Sequence, residues 1–163
     1  MKTRYSLLIM AIVLLSGMVL SAEKKSEKAE EKSAIKVISS ADELNSIIES
    51  AGDRLLLFDL YADWCMPCKI LSPMLEKIAE KNKEKASVYK INVDKNPKIA
   101  SAFSVSGIPY VVFVKNKTAV YALTGVQTKK TYQKAIEVLS DMDIEPQKDA
   151  GVETEAGNEL VKR

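Results

Sequence analysis

The chain holds two cysteines in 163 residues, three positions apart in Trp64-Cys65-Met66-Pro67-Cys68-Lys69. Two thiols at this spacing suit a reversible disulfide, half of a metal site, or a structural staple. The staple is the weakest of the three, because closing a loop of a few residues removes little entropy from the unfolded chain. A structural zinc ion needs four ligands, and the sequence offers no histidine and no third cysteine. Thiol–disulfide exchange is the chemistry these residues favour.

The elements around the pair support that reading. Leu55-Leu56-Leu57-Phe58-Asp59-Leu60-Tyr61 is an apolar run too short for a typical helix, and Gly52-Asp53 precedes it. It reads as a strand buried on both faces, as in the middle of a parallel sheet. After the cysteines, Ile70, Leu71, Met74, Leu75, Ile78 and Ala79 recur at helical spacing. Cys65 thus falls near a helix N-terminus, where free N–H groups and the positive end of the helix dipole favour thiolate over thiol. On this reading Cys65 is exposed and Cys68, one turn further in, is more buried. Pro73 lies inside the helical pattern and is expected to kink it.

Asp59 is a carboxylate within an apolar strand, costly to bury without a partner or a task. Its alternation phase aims it beneath the cysteine helix, and burial would raise its pKa toward that of a base near neutrality. A place at a strand edge, reaching solvent, is the alternative.

The N-terminus has the layout of a secretory signal peptide, residues 1–22. Lys2 and Arg4 precede an apolar run from Leu7 to Leu20, and a cleavage site follows Ala22. The run is short for a membrane span, which takes about 20 residues, and an uncleaved anchor is the competing reading. No cysteine near the cut could carry a lipid. Without Lys2 and Arg4 the chain keeps 22 basic residues against 22 acidic ones. That balance gives no general attraction to nucleic acid or anionic lipid. Residues 23–34 form a charged spacer that cannot bury apolar surface, and from 144 to 163 the chain is a polar tail expected to be disordered.

Between these extensions the pattern alternates strand and helix. Ile35-Lys36-Val37-Ile38 is a short strand. Ser40 with Glu43 makes a capping box for a helix carrying Leu44, Ile47, Ile48 and Ala51. Ala86 to Val93 is a second buried strand, and Ile99 to Phe103 a short helix. Tyr110 to Val114 and Ala119 to Leu123 make a hairpin across Lys115-Asn116-Lys117. Thr128 caps a last helix with Tyr132, Ala135, Ile136 and Leu139 on one face. The order β-α-β-α-β-α-β-β-α gives an α/β fold, a central mixed sheet of about five strands flanked by helices on both faces.

The segment 35–143 resembles the thioredoxin family. The resemblance rests on Asp59 six positions before Cys65, on Trp64-Cys65-x-Pro67-Cys68-Lys69, and on Pro73 in the helix that follows. Lys90-Ile91-Asn92-Val93-Asp94 with Asn96-Pro97, then Gly107-Ile108-Pro109 and Gly125, complete it. It implies a thioredoxin fold in which Cys65 attacks a substrate disulfide and Cys68 resolves the mixed disulfide. Asp59 would assist proton transfer at Cys68, with Lys90 as its charge partner; an exposed strand lysine is the plainer account of Lys90. Pro109 would be a cis proline facing the cysteines, where sequence alone favours a trans proline at a strand start. Trp64, Met66, Pro67, Ile108, Pro109 and Gly125 would form the substrate platform, with Ile108 offering its backbone to an extended segment. Each could also be ordinary packing. Tyr61 stands where the family usually has tryptophan, Met66 replaces the glycine between the cysteines, and Lys117 replaces a turn glycine.

The expectation is therefore an exported, monomeric protein-disulfide reductase without metal or dissociable cofactor, located in the periplasm or otherwise outside the cytoplasm. Its substrates would be disulfide-containing exported proteins, such as apocytochromes or damaged secreted enzymes, and a membrane electron donor would re-reduce it. Disulfide oxidant or isomerase is the alternative of the same fold, and a non-catalytic binder of unfolded chains the alternative of another class.

Overall fold

The computed structural model describes residues 33–145; the leader, nearly all of the charged spacer and nearly all of the tail lie outside the described residues. In chain order the elements are β1 (Lys36–Ile38), α1 (Ala41–Ser50), β2 (Leu55–Tyr61), α2 (Met66–Lys81), β3 (Ala86–Asn92), α3 (Pro97–Ala102), β4 (Tyr110–Lys115), β5 (Thr118–Thr124) and α4 (Lys129–Ser140). They build one five-stranded sheet in the order β1-β3-β2-β4-β5.

The apolar run Leu55–Leu60 becomes the middle strand because both of its faces are covered. Leu55 and Leu57, with Val111 and Phe113 of β4, pack on Leu71, Leu75 and Ile78 of α2 and on Tyr132, Ile136 and Leu139 of α4. Leu56, Phe58 and Leu60 face the other way, onto Leu44 of α1 and onto Ile99 and Phe103. Each such side chain contributes about 1.5–3 kcal/mol when fully buried. A one-residue slip of β2 would exchange its two faces and is strongly disfavoured.

The strand's setting differs from a purely parallel sheet. β2 pairs in parallel with β3 but antiparallel with β4. Its apolar run reports only that both faces are covered, and coverage carries no information about the direction of a neighbour.

Caps set the helix starts. Ser40 Oγ accepts the Glu43 N–H at 3.2 Å, while the Glu43 carboxylate accepts from Ser39, so the box closes one residue earlier than in its usual form. Thr128 Oγ1 accepts the Thr131 N–H at 3.2 Å and starts α4. α2 spans Pro73 without interruption. In the β4–β5 turn, Asn116 and Lys117 both take positive φ, 47° and 65°. Asparagine tolerates that region readily; lysine does so at a cost of about 1–2 kcal/mol. Lys117 there forms an ion pair with Glu49 of α1.

Candidate active site

Cys65 is the N-cap of α2, in extended backbone geometry. The strand β2 ends at Tyr61, the Cys65 N–H donates to the Ala62 carbonyl at 3.1 Å, and Pro67 occupies the first turn. A proline suits that turn because its missing N–H has no helical partner there. Sequence thus fixes the strand-to-helix corner, and the corner brings the two sulfurs together: Cys65 and Cys68 form a disulfide with a Cα–Cα distance of 5.3 Å. The Cys68 N–H also donates to Cys65 Sγ at 3.2 Å. In the dithiol form the same N–H and the positive end of the α2 dipole stabilise a Cys65 thiolate.

The structure corrects the expected difference in exposure. Cys65 and Cys68 are each 3% exposed, so the first is not the open sulfur and the second is not the more buried. The cause is tertiary: the disulfide packs among Ala62, Tyr61, Val93 and Ile108. What projects to solvent is the frame around it, with Trp64 at 68% and Met66 at 64% exposed and Pro67 also exposed. A partner therefore meets apolar side chains before it meets sulfur.

The other platform residues converge on the same spot. The Ile108–Pro109 bond is cis. Ile108 contacts the cysteine cluster while Pro109 itself is buried. The Gly125 N–H donates to the Pro109 carbonyl at 2.8 Å, and Gly125 holds φ of 75°, which a side chain would strain. The β4–β5 antiparallel pair makes this possible, since it sets Tyr110 opposite Thr124 and so brings the residues beyond both strand ends together.

Asp59 follows Leu57 by two, so its side chain joins the α2 and α4 face of the sheet, and it is fully buried. The strand-edge alternative is thereby set aside. Parallel register places Lys90 directly beside it on β3, and Lys90 Nζ stands 3.9 Å from Asp59 Oδ2. That is an ion-pair distance but too long for a hydrogen bond. Neither Asp59 oxygen has a hydrogen-bond partner among the described residues. Lys90 instead donates to Ser72 Oγ of α2 at 2.6 Å and lies 4.5 Å from the centre of the Tyr61 ring. Burial pushes the Asp59 carboxyl up from its ordinary 3.8 to about 6, opposed in part by the Lys90 charge. The result is a carboxylate able to gain or lose a proton close to neutral pH.

Three contributors escaped sequence reasoning. Ser72 lies one helical turn after Cys68, so the spacing puts it on the same side of α2, but nothing in the sequence reveals Lys90 as its partner. Asp94 accepts from the Trp64 indole at 2.9 Å. The signal was latent: Tyr61 and Asn92 are register partners on parallel strands, so the loops carrying Trp64 and Asp94 leave the sheet at one edge. Tyr132 of α4 has a buried hydroxyl with no hydrogen-bond partner among the described residues. Burial and then the Asp59 charge push its pKa up to about 12, and the Gln127 backbone N–H, which opposes the rise, falls short of a hydrogen bond to the hydroxyl.

Comparison with known proteins gives a consistent picture. The family described as Thioredoxin matches residues 35–138. A thioredoxin of Buchnera aphidicola is 47% identical over 87 residues, which are 51% of this chain and 78% of that protein. Among solved structures, a mutant thioredoxin of Halobacterium salinarum superposes with a TM-score of 0.61 at 33% identity, covering 69% of this chain and 96% of that one. The oxidised form of mitochondrial thioredoxin 3 from Saccharomyces cerevisiae gives 0.59 at 28% identity, covering 64% and 95%.

Proposed function

The chain belongs to the thioredoxin family, oxidoreductases that act on disulfides, and from that premise we propose that it is exported and reduces disulfides in other exported proteins. The observation that carries the reading is the Cys65–Cys68 pair at the start of α2, flanked by the exposed Trp64 and Met66, with Asp59 buried in the preceding strand β2.

In this reaction the Cys65 thiolate attacks one sulfur of the substrate disulfide. The substrate S–S bond breaks, a Cys65–substrate disulfide forms, and the departing thiolate takes a proton from solvent. Cys68 then gives its proton to Asp59 and attacks Cys65 Sγ. The mixed disulfide breaks, the second substrate sulfur leaves as a thiolate and takes a proton from solvent, Asp59 gives its proton back to solvent, and the Cys65–Cys68 disulfide remains. Two electrons have passed to the substrate, and the cysteine pair has carried them without a dissociable cofactor. Both sulfurs lie on one chain, so a monomer suffices. An extended substrate segment would lie along Ile108-Pro109, between Trp64, Met66 and Gly125.

The direction and the compartment rest on sequence. The leader pattern of residues 1–22 supports export, with cleavage after Ala22 or retention as an anchor. Pro67 before Cys68, with no histidine there, supports a reductant. Outside the cytoplasm the oxidised enzyme must be returned to the dithiol by another protein, and a membrane carrier that passes electrons outward fits that task.

The deciding measurement is the reduction potential of the pair, equilibrated in thiol buffers and followed through Trp64 fluorescence. A value near the thioredoxin level of about −270 mV supports the reductase. One near about −120 mV, as in the oxidant DsbA, replaces it with a disulfide donor.

A further inference from the structure

Lys90 is placed by its register beside Asp59, yet it makes no hydrogen bond to the carboxylate. The two are Cα partners on adjacent parallel strands. The ammonium nevertheless donates to Ser72 Oγ at 2.6 Å and stays 3.9 Å from Asp59 Oδ2. We propose that Ser72 is a positioning residue for the resolving half-reaction: by accepting from Lys90, its hydroxyl holds the ammonium off the Asp59 carboxylate and leaves that carboxylate a working base.

The surroundings of Asp59 leave few other controls. β3 contributes Lys90, and β4 contributes Val111, apolar, as its register partner. β2 itself contributes Tyr61, whose ring faces the ammonium. α4 contributes Tyr132, neutral at working pH because burial and the Asp59 charge push it up to about 12. α2 contributes Ser72, which accepts from the ammonium. Lys90 is thus the one cation facing Asp59 among the described residues, and its placement decides how far it opposes the effect of burial on the carboxylate.

The Lys90 ammonium is half-buried and has three donors to place. Ser72 takes one at short range as a neutral acceptor, and the Tyr61 ring faces the ammonium from 4.5 Å. Without the Ser72 hydroxyl, the nearest acceptor lacking a partner is Asp59, about 1 Å beyond the usual hydrogen-bond distance. Closing that gap would turn a loose ion pair into a charge-assisted hydrogen bond, which favours the ionised carboxylate and weakens it as a base.

This inference rests on Asp59 being the base for Cys68, and the test keeps the two apart. The Asp59 carboxyl carbon is titrated by NMR in the oxidised full-length protein, where no turnover is needed. Alongside it, the pH dependence of release of reduced substrate from the mixed disulfide is recorded. Ser72→Ala is expected to lower the Asp59 midpoint by about one pH unit, roughly a tenfold loss of proton affinity, and to carry the acid limb of the rate profile with it. Ser72→Thr, which keeps the hydroxyl, is expected to stay at the wild-type midpoint. In a Lys90→Met background Ser72→Ala is expected to shift nothing. A midpoint that is unchanged or raised in Ser72→Ala overturns the proposal, and so does a shift that survives in Lys90→Met. An NMR shift that the rate profile does not follow overturns instead the role of Asp59 as base, and with it the resolving function given to Ser72.

Discussion

Asp59 sits in the middle of β2 with Lys90 beside it in register, and the two stay 3.9 Å apart without a hydrogen bond. A buried acid held in this way prefers its proton. Between its ordinary 3.8 and about 6, the folded chain keeps the Asp59 proton while the unfolded chain releases it. Stability therefore falls as pH rises through that window. The contribution is least unfavourable below 3.8 and fully unfavourable above 6. The protein carries a destabilised acid where the proposed mechanism places its base.

Replacing the charge should recover that loss. A difference of about two pH units corresponds to about 3 kcal/mol. Asp59→Asn is expected to stabilise the oxidised protein by up to that amount at pH 7, less the desolvation of the new amide. The gain should vanish at pH 3.5, where Asp59 is protonated folded or unfolded. Urea denaturation at both pH values measures it; a stability difference between the two proteins that is the same at pH 3.5 and pH 7 would refute the strained-acid account.

In the proposed mechanism the same proton governs the resolving step. Below the midpoint near 6, the rate of substrate release from the mixed disulfide is expected to fall about tenfold per pH unit, as Asp59 loses the ability to accept from Cys68. Asp59→Asn should remove this acid limb and slow release at pH 7 by about a hundredfold or more. Rapid-quench analysis of a preformed mixed disulfide reports the step directly. An acid limb retained in Asp59→Asn would assign the proton to another group.

Tyr132 offers an independent check on the buried site. Its ring belongs to the core with Leu71, Leu75 and Val111, but its hydroxyl has no hydrogen-bond partner among the described residues. An orphaned buried hydroxyl costs about 1–3 kcal/mol. Tyr132→Phe is expected to raise stability by about 1 kcal/mol and to leave the Asp59 midpoint in place, because the phenol is neutral throughout the working range. A loss of 1 kcal/mol or more on urea unfolding would show that the hydroxyl is held.

Much of this arrangement was legible in the sequence, for local reasons. The cysteine pair, its place at a strand-to-helix corner, and the Ser40 and Thr128 caps depend on neighbours within a few residues. So do the periodicities that order the strands and helices. What stayed hidden depends on register and on distant loops. Asp59 and Lys90 become partners only once β2 and β3 are aligned, and the hydroxyl of Ser72 meets the ammonium only when α2 lies across both strands. Helix position alone suggests unequal exposure of the cysteines. Ile108, from a loop far along the chain, packs against the cluster that holds them.

The sharpest division between an exchange enzyme and a binder of unfolded chains lies in the two sulfurs taken singly. In exchange, Cys65 forms the covalent intermediate and Cys68 destroys it. Cys68→Ser is therefore expected to accumulate mixed disulfides with substrate proteins, visible as adducts on non-reducing gels and lost on adding thiol. Cys65→Ser should form few, because Cys68 is neither the N-cap of α2 nor the sulfur that accepts a helix N–H. A binder working only through Trp64, Met66 and Ile108 would behave differently. Both variants would then keep full retention of an unfolded, disulfide-free client, and neither would trap anything. The exposed apolar frame serves either activity, so the covalent adduct and its dependence on which sulfur remains discriminate between them.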